Sequence, residues 1–591
     1  MKYQTKDTRY GEVVIEDFGG LDRAAALCGG KNSFELRNFR RMEDGSLKRR
    51  GGLVPLATFG QDIRGAISIL RGGVRETYVV AGSTVYTVEE AEGEWLTNPI
   101  ATLESGEGEV TFLEHGGHLI LLDGEQFYCL NTKGATVLEA YVPLYGTEWD
   151  DYDTAGRTVY EQPNLLSRRI RIRVRMHIEG YYIYLSPLQP ASVDVLLVNG
   201  ERYQKEVRLN TAENRIETSS SLPKGAEIEV YLTMPEDFAP MLSDIKRARR
   251  ACALGRAEDA RILFYDHPDK STVYISRTIP KGAQQSVCGV LSDACMIYVT
   301  REDEVTVGDG IHAVTGGCRH YDRSLIFTAK GSWMADGQVN EDGGLRLIPV
   351  NTTLGCSRSG AVAVSGNRPF TMFTSGLLSW SSETDERNEC NAEVVSRAVH
   401  PLLKDGFDQK MTLWADTVRD EIWCYEPGSD GRVLVYQARY GSWTSFDGFT
   451  PYLVFDLGGE PGIVMGSALY RMQEDAYRDT ILYPEHPSGA ALVIKAEYQS
   501  AFLDFEAPGR KKRICRASVV GVLADGGVTL SLQRVDGEQR KVLLWGGEGE
   551  IRYLQSHVDV GRFRFVRVGV RSDTGGPLHL YQVRLETQPS E

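Results

Sequence analysis

One phrase recurs along this chain with only one short helical pattern among its copies, and it limits what the chain can fold into. The phrase is a short apolar strand, a turn of small residues, a second short strand, and a large aromatic near the end. Residues 422–444 are its clearest copy. Ile422, Trp423, Cys424 and Tyr425 form an aromatic-rich strand, and Pro427, Gly428, Ser429, Asp430 and Gly431 turn it. Val433, Leu434, Val435 and Tyr436 bring the chain back, and Trp443 closes the unit. Further copies fall at residues 78–86, 119–130, 260–276, 324–333, 362–380 and 462–470. A lone hairpin is marginal in water, so a series of them must bury its apolar faces against its neighbours. Radial stacking into a β-propeller does this while leaving short, protected edges. The expectation is all-β: an irregular β-propeller of six to eight blades. A Greek-key sandwich fits seven similar hairpins less well.

Residues 163–238 and 393–400 break the series. Within residues 163–238, Ile170, Ile172 and Val174 alternate with Arg169, Arg171, Arg173 and Arg175, the period of a half-buried strand. Tyr182, Ile183, Tyr184 and Leu185 follow, then an apolar run turning at Asn199-Gly200, a strong hairpin signal. These predict an inserted β-sandwich module. Alternating strands beyond residue 484 predict a C-terminal β-sandwich with one wet face per sheet. The predicted organisation is an N-terminal arm (1–60), a leading propeller segment (61–162), the inserted module (163–238), a longer propeller segment (239–484) and the C-terminal sandwich (485–591). Residues 393–400 place Val394, Val395, Ala398 and Val399 at helical spacing, predicting a short amphipathic helix ended by Pro401.

Composition excludes several classes. A net charge of −15 over 591 residues argues against a surface that grips nucleic acid throughout. No apolar run approaches the roughly 20 residues that span a bilayer, and no secretory leader pattern is evident at Met1-Lys2-Tyr3. The ten cysteines include no CxxC pair, and several lie inside apolar strands. They read as reduced thiols packed as small hydrophobes, with disulfides and zinc not expected.

Local catalytic signatures are missing as well: no GxxxxGK[ST], HExxH, GxSxG or EF-hand loop occurs. Gly29-Gly30-Lys31 lacks the rest of a phosphate loop. His115 and His118 read as a polar turn rather than a metal pair, since no third imidazole or thiol lies near. Glu148, Asp150, Asp151 and Asp153 read as a solvated acidic loop. No catalytic residue, cofactor or metal is assigned, and the chain is expected not to be an enzyme. Paired carboxylates contributed from distant blades, as in propeller hydrolases, leave no local motif.

Basic residues are the candidate contacts. Arg37, Arg40, Arg41, Lys48, Arg49 and Arg50 crowd the arm, where a solvated hairpin and a docking arm for an acidic partner compete. Arg169, Arg171, Arg173 and Arg175 could hold phosphates or keep an edge strand from aggregating. Lys511, Lys512 and Arg513 form a third group.

Residues 38–53, a strand followed by DGSLKRRGGL and propeller hairpins, resemble the N-terminus of bacteriophage tail-nozzle, tail tubular protein B and packaged-DNA stabilisation proteins. Leu325-Ile326-Phe327-Thr328 with Trp333, Val433-Leu434-Val435-Tyr436 with Trp443, and Tyr498-Gln499-Ser500 with Leu503-Asp504-Phe505 fit the same family. The resemblance covers residues 30–160 and 240–585 and leaves the inserted module unmatched. It implies a virion tail protein, assembled in the host bacterial cytoplasm as a homo-oligomeric, hexameric ring below the portal and adaptor. The implied partners are adaptor and portal-proximal tail proteins, tail fibres or a tip protein, and double-stranded DNA conducted without sequence specificity. An acidic wall would repel that DNA within about 8 Å at physiological salt. The alternatives are a receptor- or glycan-binding tail-tip propeller and, further off, a propeller glycan hydrolase.

Overall fold

A computed structural model describes residues 2–7, 10–24, 31–138, 140–146, 160–238, 242–255, 261–268, 270–277, 297–321, 323–339, 345–380, 391–483, 486–507, 509–523, 527–544 and 551–589. The acidic cluster at 148–153 and Gly29-Gly30 lie outside them. The chain forms two compact units. One comprises Met1–Gly82, Tyr86–Pro99 and Leu354–Glu591, and the other comprises Ser83–Val85 and Ile100–Thr353.

The fold is all-β and of the irregular propeller kind, with an inserted β-sandwich and a C-terminal β-sandwich. Seven antiparallel four-stranded blades are present among the described residues, within the expected six to eight. In chain order their first strands are Ile63–Arg71, Thr111–His115, Arg250–Leu254, Val314–His320, Val362–Ser365, Thr412–Asp416 and Leu453–Asp456. The first, fifth, sixth and seventh blades belong chiefly to the first unit, and the second, third and fourth to the other.

The inner blade strands are buried on both faces, which is why they read as continuous apolar runs rather than alternating ones. Ile463 and Tyr470 of the seventh blade pack with Trp423, Val435 and Phe446 of the sixth. Their neighbours Val464 and Leu469 point the other way, into Ile63, Val79 and Val88 of the first. The third blade repeats the arrangement. Phe264 stacks on Phe127 of the second blade with ring centroids 5.1 Å apart, while Leu263 packs toward Ile326 of the fourth.

The arm completes this architecture. Gly52–Thr58 pairs antiparallel with Ala468–Gln473 and supplies the fourth strand of the seventh blade. Ser33–Arg37 pairs with Ala496–Ser500 of the C-terminal sandwich and bridges in parallel to Ser445 of the sixth blade, fusing them into a nine-stranded sheet. Tyr10–Ile15 pairs with His579–Pro589 in the other sheet of that sandwich.

The inserted module is two sheets. Arg169–Arg175, Glu227–Thr233, Ser192–Val198 and Glu201–Arg202 form one, and Gly180–Tyr184, Arg215–Leu222 and Val207–Asn210 form the other. Ile170, Ile172, Ile183, Leu196, Ile216 and Val230 fill the space between them.

One expectation is corrected. Residues 393–400 are not an amphipathic helix: Ala392–Val394 is the fourth strand of the fifth blade, paired with Leu378–Trp380. A 3-10 turn at Arg397–Leu402 follows, with Pro401 inside it. The β-branched Val394 meets a partner strand there, and sheet pairing outweighs a weak helical period.

Candidate functional site

All six arm cations find acceptors inside the chain. Arg40 forks onto Glu421, Nε to Oε1 at 3.1 Å and Nη2 to Oε2 at 3.3 Å. Trp423 Nε1 and Gln437 Nε2 also donate to that carboxylate. Arg50 is fully buried and its five N–H groups are all used. They reach both oxygens of Asp479 (2.9 and 2.7 Å), Asn38 Oδ1 (3.0 Å), Gly51 O (2.8 Å) and Asp447 O (2.8 Å). Arg37 pairs with Asp447 and Glu497, Arg41 with Asp17, and Lys48 with Glu474. Arg49 has no carboxylate and donates to Thr574 O, Gly576 O and Ser572 Oγ. Burial, with the Arg50 charge beside it, pushes its guanidinium down to about 10.

Asn38 organises the group. Its backbone sits at φ 55°, a left-handed conformation that asparagine tolerates better than most residues. Its amide donates to Asp447 Oδ1 and Lys495 O, and its oxygen accepts from Arg50 and from the Asp447 N–H. The acidic surface that the arm meets is therefore the chain's own. Glu421, Asp447, Asp479 and Glu497 were not singled out from sequence, although Asp479 shares strand parity with buried Ile481, a charged residue at a core-facing position.

The basic strand of the inserted module is also internally matched. Arg171 and Arg173 pair with Glu229 across the sheet, and Arg169 pairs with Asp194. Arg171 further donates to the Tyr141 hydroxyl, which itself donates to Glu161. In the third group, Lys512 is buried and caps the Ala507 and Asp504 carbonyls, and Arg513 pairs with Asp559. Arg175 and Lys511 stay exposed, with no ion pair among the described residues. His115 and His118 face each other across a tight hairpin, and burial, with His118 adding to it, lowers the His115 pKa. No group of metal-ligating side chains occurs among the described residues.

A different surface lies open on the module. Tyr182 pairs with Glu217 and Tyr184 with Arg215 across the second sheet, while Ile183 and Ile216 between them point into the core. Both tyrosines are therefore on the outer face, 44% and 46% exposed. The Arg215 guanidinium lies 3.9 Å over the Tyr182 ring. Sequence marked this segment only as a strand.

No family model matches the chain, and no curated protein sequence does either. Solved structures with similar arrangements include Saccharomyces cerevisiae Sqt1 (8% identity, TM-score 0.33, covering 71% of this chain and 100% of that one). Another is the exo-beta-1,3-galactanase of Phanerochaete chrysosporium with beta-1,3-galactotriose (8%, 0.22, 91% and 100%). A third is the extracellular domain of a one-component system from B. thetaiotaomicron (9%, 0.21, 97% and 99%). Likenesses of this degree assign no activity. With a galactanase among them, however, the expectation that the chain is not an enzyme loses its ground and is withdrawn. That expectation rested on missing linear motifs, and catalytic carboxylates on a propeller converge from separate blades without one.

Proposed function

We propose that this chain is a structural component of a bacteriophage tail, a stiff subunit that joins copies of itself into a ring around the path of packaged DNA. The observation that carries the reading is the use made of residues 38–53, the stretch whose wording resembles the tail-nozzle family. Those residues tie the sixth blade, the seventh blade and the C-terminal sandwich together through a strand pairing and through buried or half-buried arginines, among which Arg50 has every N–H group used. Such a clamp suits a component that bears load, because separating the pieces strands charges in a low-dielectric interior.

Ring closure needs a heterologous interface, and one side of the C-terminal sandwich suits it. Its edge strands Gln539–Leu544 and Ile551–His557 lie against each other and present Leu543, Ile551 and Tyr553, 47%, 65% and 52% exposed. An exposed edge strand is a template for pairing with another chain, and apolar side chains left exposed beside it mark an interaction surface. Native mass and particle images of the full chain test the reading. Closed rings that fall apart in Ile551→Lys/Tyr553→Lys support it, and a monomer at tens of micromolar (about the range where weak interfaces fill) rejects it.

A second reading, a propeller that binds glycans at the tail tip, is favoured by one observation: the exposed tyrosine face of the inserted module. Binding of oligosaccharides to the full chain, with product analysis of the same mixtures, separates adhesion from hydrolysis.

A further inference from the structure

We infer that the outer face of the module's second sheet is a binding platform for an uncharged pyranose chain, an inference that rests on the glycan-binding reading. The face is assembled from three strands in fixed register. Tyr182 and Tyr184 lie on Gly180–Tyr184, Arg215 and Glu217 on Arg215–Leu222, and Arg208 and Asn210 on Val207–Asn210. Directly opposed residues on neighbouring strands share a face. The pairs Tyr182–Glu217, Tyr184–Arg215, Arg208–Glu217 and Asn210–Arg215 thus make one continuous surface.

Its polar groups are held rigid. Glu217 Oε1 accepts from Asn210 Nδ2 at 2.9 Å and from Arg215 Nε and Nη2 at 3.0 and 2.9 Å. Glu213 pairs with the third guanidinium nitrogen of Arg215. Arg215 is thereby fixed flat against Tyr182, while Glu217 Oε2 makes no hydrogen bond among the described residues. The hydrogen bonds from Asn210 and then Arg215 hold the Glu217 carboxyl below its ordinary range, keeping it an acceptor.

Charge selects the ligand class. Arg208 and Arg215 are balanced by Glu213 and Glu217, so the face offers no net field to draw an anion or a cation. It offers two exposed tyrosines whose Cα atoms are about 6.6 Å apart along the strand and, beside them, a carboxylate oxygen positioned to accept from hydroxyls. Apolar sugar faces stack on such rings while their hydroxyls take the polar groups, the usual division of labour in small-molecule sites. Tyrosine and arginine are also enriched at protein interfaces, so oligomeric mass is read beside sugar affinity in the test. Tyr181, beside the irregular pairing between Gly180 and Tyr182, is exposed as well.

The test is calorimetric titration of the full chain with cellohexaose, maltohexaose and chitohexaose. At least one should bind, and Tyr182→Ala and Tyr184→Ala should each weaken it about tenfold. Arg215→Lys, which keeps the charge and loses the planar fork, should weaken it several-fold. These side chains point outward, so an unchanged melting curve checks that the variants fold. Binding that none of the substitutions alters would overturn the site and leave the glycan reading standing. No binding of any of the three by the parent chain would overturn both. Unaltered sugar affinity with a changed oligomeric mass would assign the face to a protein neighbour instead.

Discussion

Arg50 and Asp479, 429 residues apart, form a bidentate ion pair at 2.9 and 2.7 Å in which neither side chain is more than 3% exposed. The same carboxylate accepts the Leu53 N–H at 3.0 Å, so pair and backbone are locked together where the arm enters the seventh blade. Breaking a buried pair from one side costs about 3–5 kcal/mol, because the remaining charge has no partner. Asp479→Asn should speed hydrogen exchange at the Leu53 amide by at least about a hundredfold, through local opening of the arm. Replacing both partners, as Arg50→Met/Asp479→Leu, should cost less than the sum of the single changes. Exchange at Leu53 unchanged in Asp479→Asn would show that the clamp does not limit opening.

The arm closes a blade and is not a removable tail. A chain beginning at residue 61 would leave Ala468–Gln473 as an unpaired edge and uncover Tyr470 and Met472, which pack with Leu53. It is expected to aggregate on expression, while adding residues 1–60 back as a separate peptide should recover soluble material. A milder change tests the same joint: a Cβ at Gly52 would overlap the Arg478 carbonyl oxygen. Gly52→Ala must therefore move backbone, at a cost of about 1–3 kcal/mol, seen as an earlier first transition in urea.

The hairpins were legible because their information is local. A small-residue turn sits between two apolar runs, and the runs are continuous because each blade packs on both faces, as Ile463 and Val464 do. Outer strands were harder to read: Glu94–Thr102 alternates exposed and half-buried residues, and Ala392–Val394 is three residues long. The arm's cations were visible, but the carboxylates that hold Arg37, Arg40, Lys48 and Arg50 lie 381 to 460 residues away, beyond any local pattern. Their pairing was therefore open to a reading as contacts for an external partner. Tyr182 and Tyr184 were visible as strand residues. What makes them a surface is the register that sets Arg215 and Glu217 beside them.

Cysteine chemistry follows from burial. Six described cysteines are unbridged, and all but Cys515 are buried. Burial pushes the Cys252 thiol up to about 12 and raises that of Cys424 further. At pH near 8 roughly one Cys252 in ten thousand is thiolate, the form that alkylates. Peptide mapping after native iodoacetamide treatment should find Cys252 and Cys424 unmodified and Cys515 the first of the six to react. Early labelling of Cys424 would mean that the sixth blade opens readily.

Mild acid should weaken the fold through two histidines, one in each compact unit. Burial, with His118 adding to it, lowers the His115 pKa. Burial also lowers that of His579, where the nearby Lys48 reinforces it and Asp44 opposes it. The His579 ring accepts or donates at Ser46 Oγ, 2.7 Å away, and lies 4.2 Å from the Tyr581 ring. Each folded-state value lies below the ordinary 6.5, so between the two the unfolded chain binds more protons than the folded one. Stability then falls as pH drops below about 6.5 and levels off once the folded histidines themselves protonate. Asp559 acts in a lower window. Its hydrogen bonds from Arg513 and the Gly561 N–H hold it at about 2, so its contribution is present above the ordinary 3.8 and is lost as pH falls from there through about 2. Arg513 and Asp559 are about half exposed, so solvent screening keeps that contribution small. Urea midpoints measured from about pH 7 to 5 should therefore decline in the parent chain. The decline should be shallower in His115→Gln and in His579→Gln, and the two effects should add because the sites share no neighbours. A midpoint that rises toward pH 5 would reverse the sign and place the charged imidazoles in the folded state.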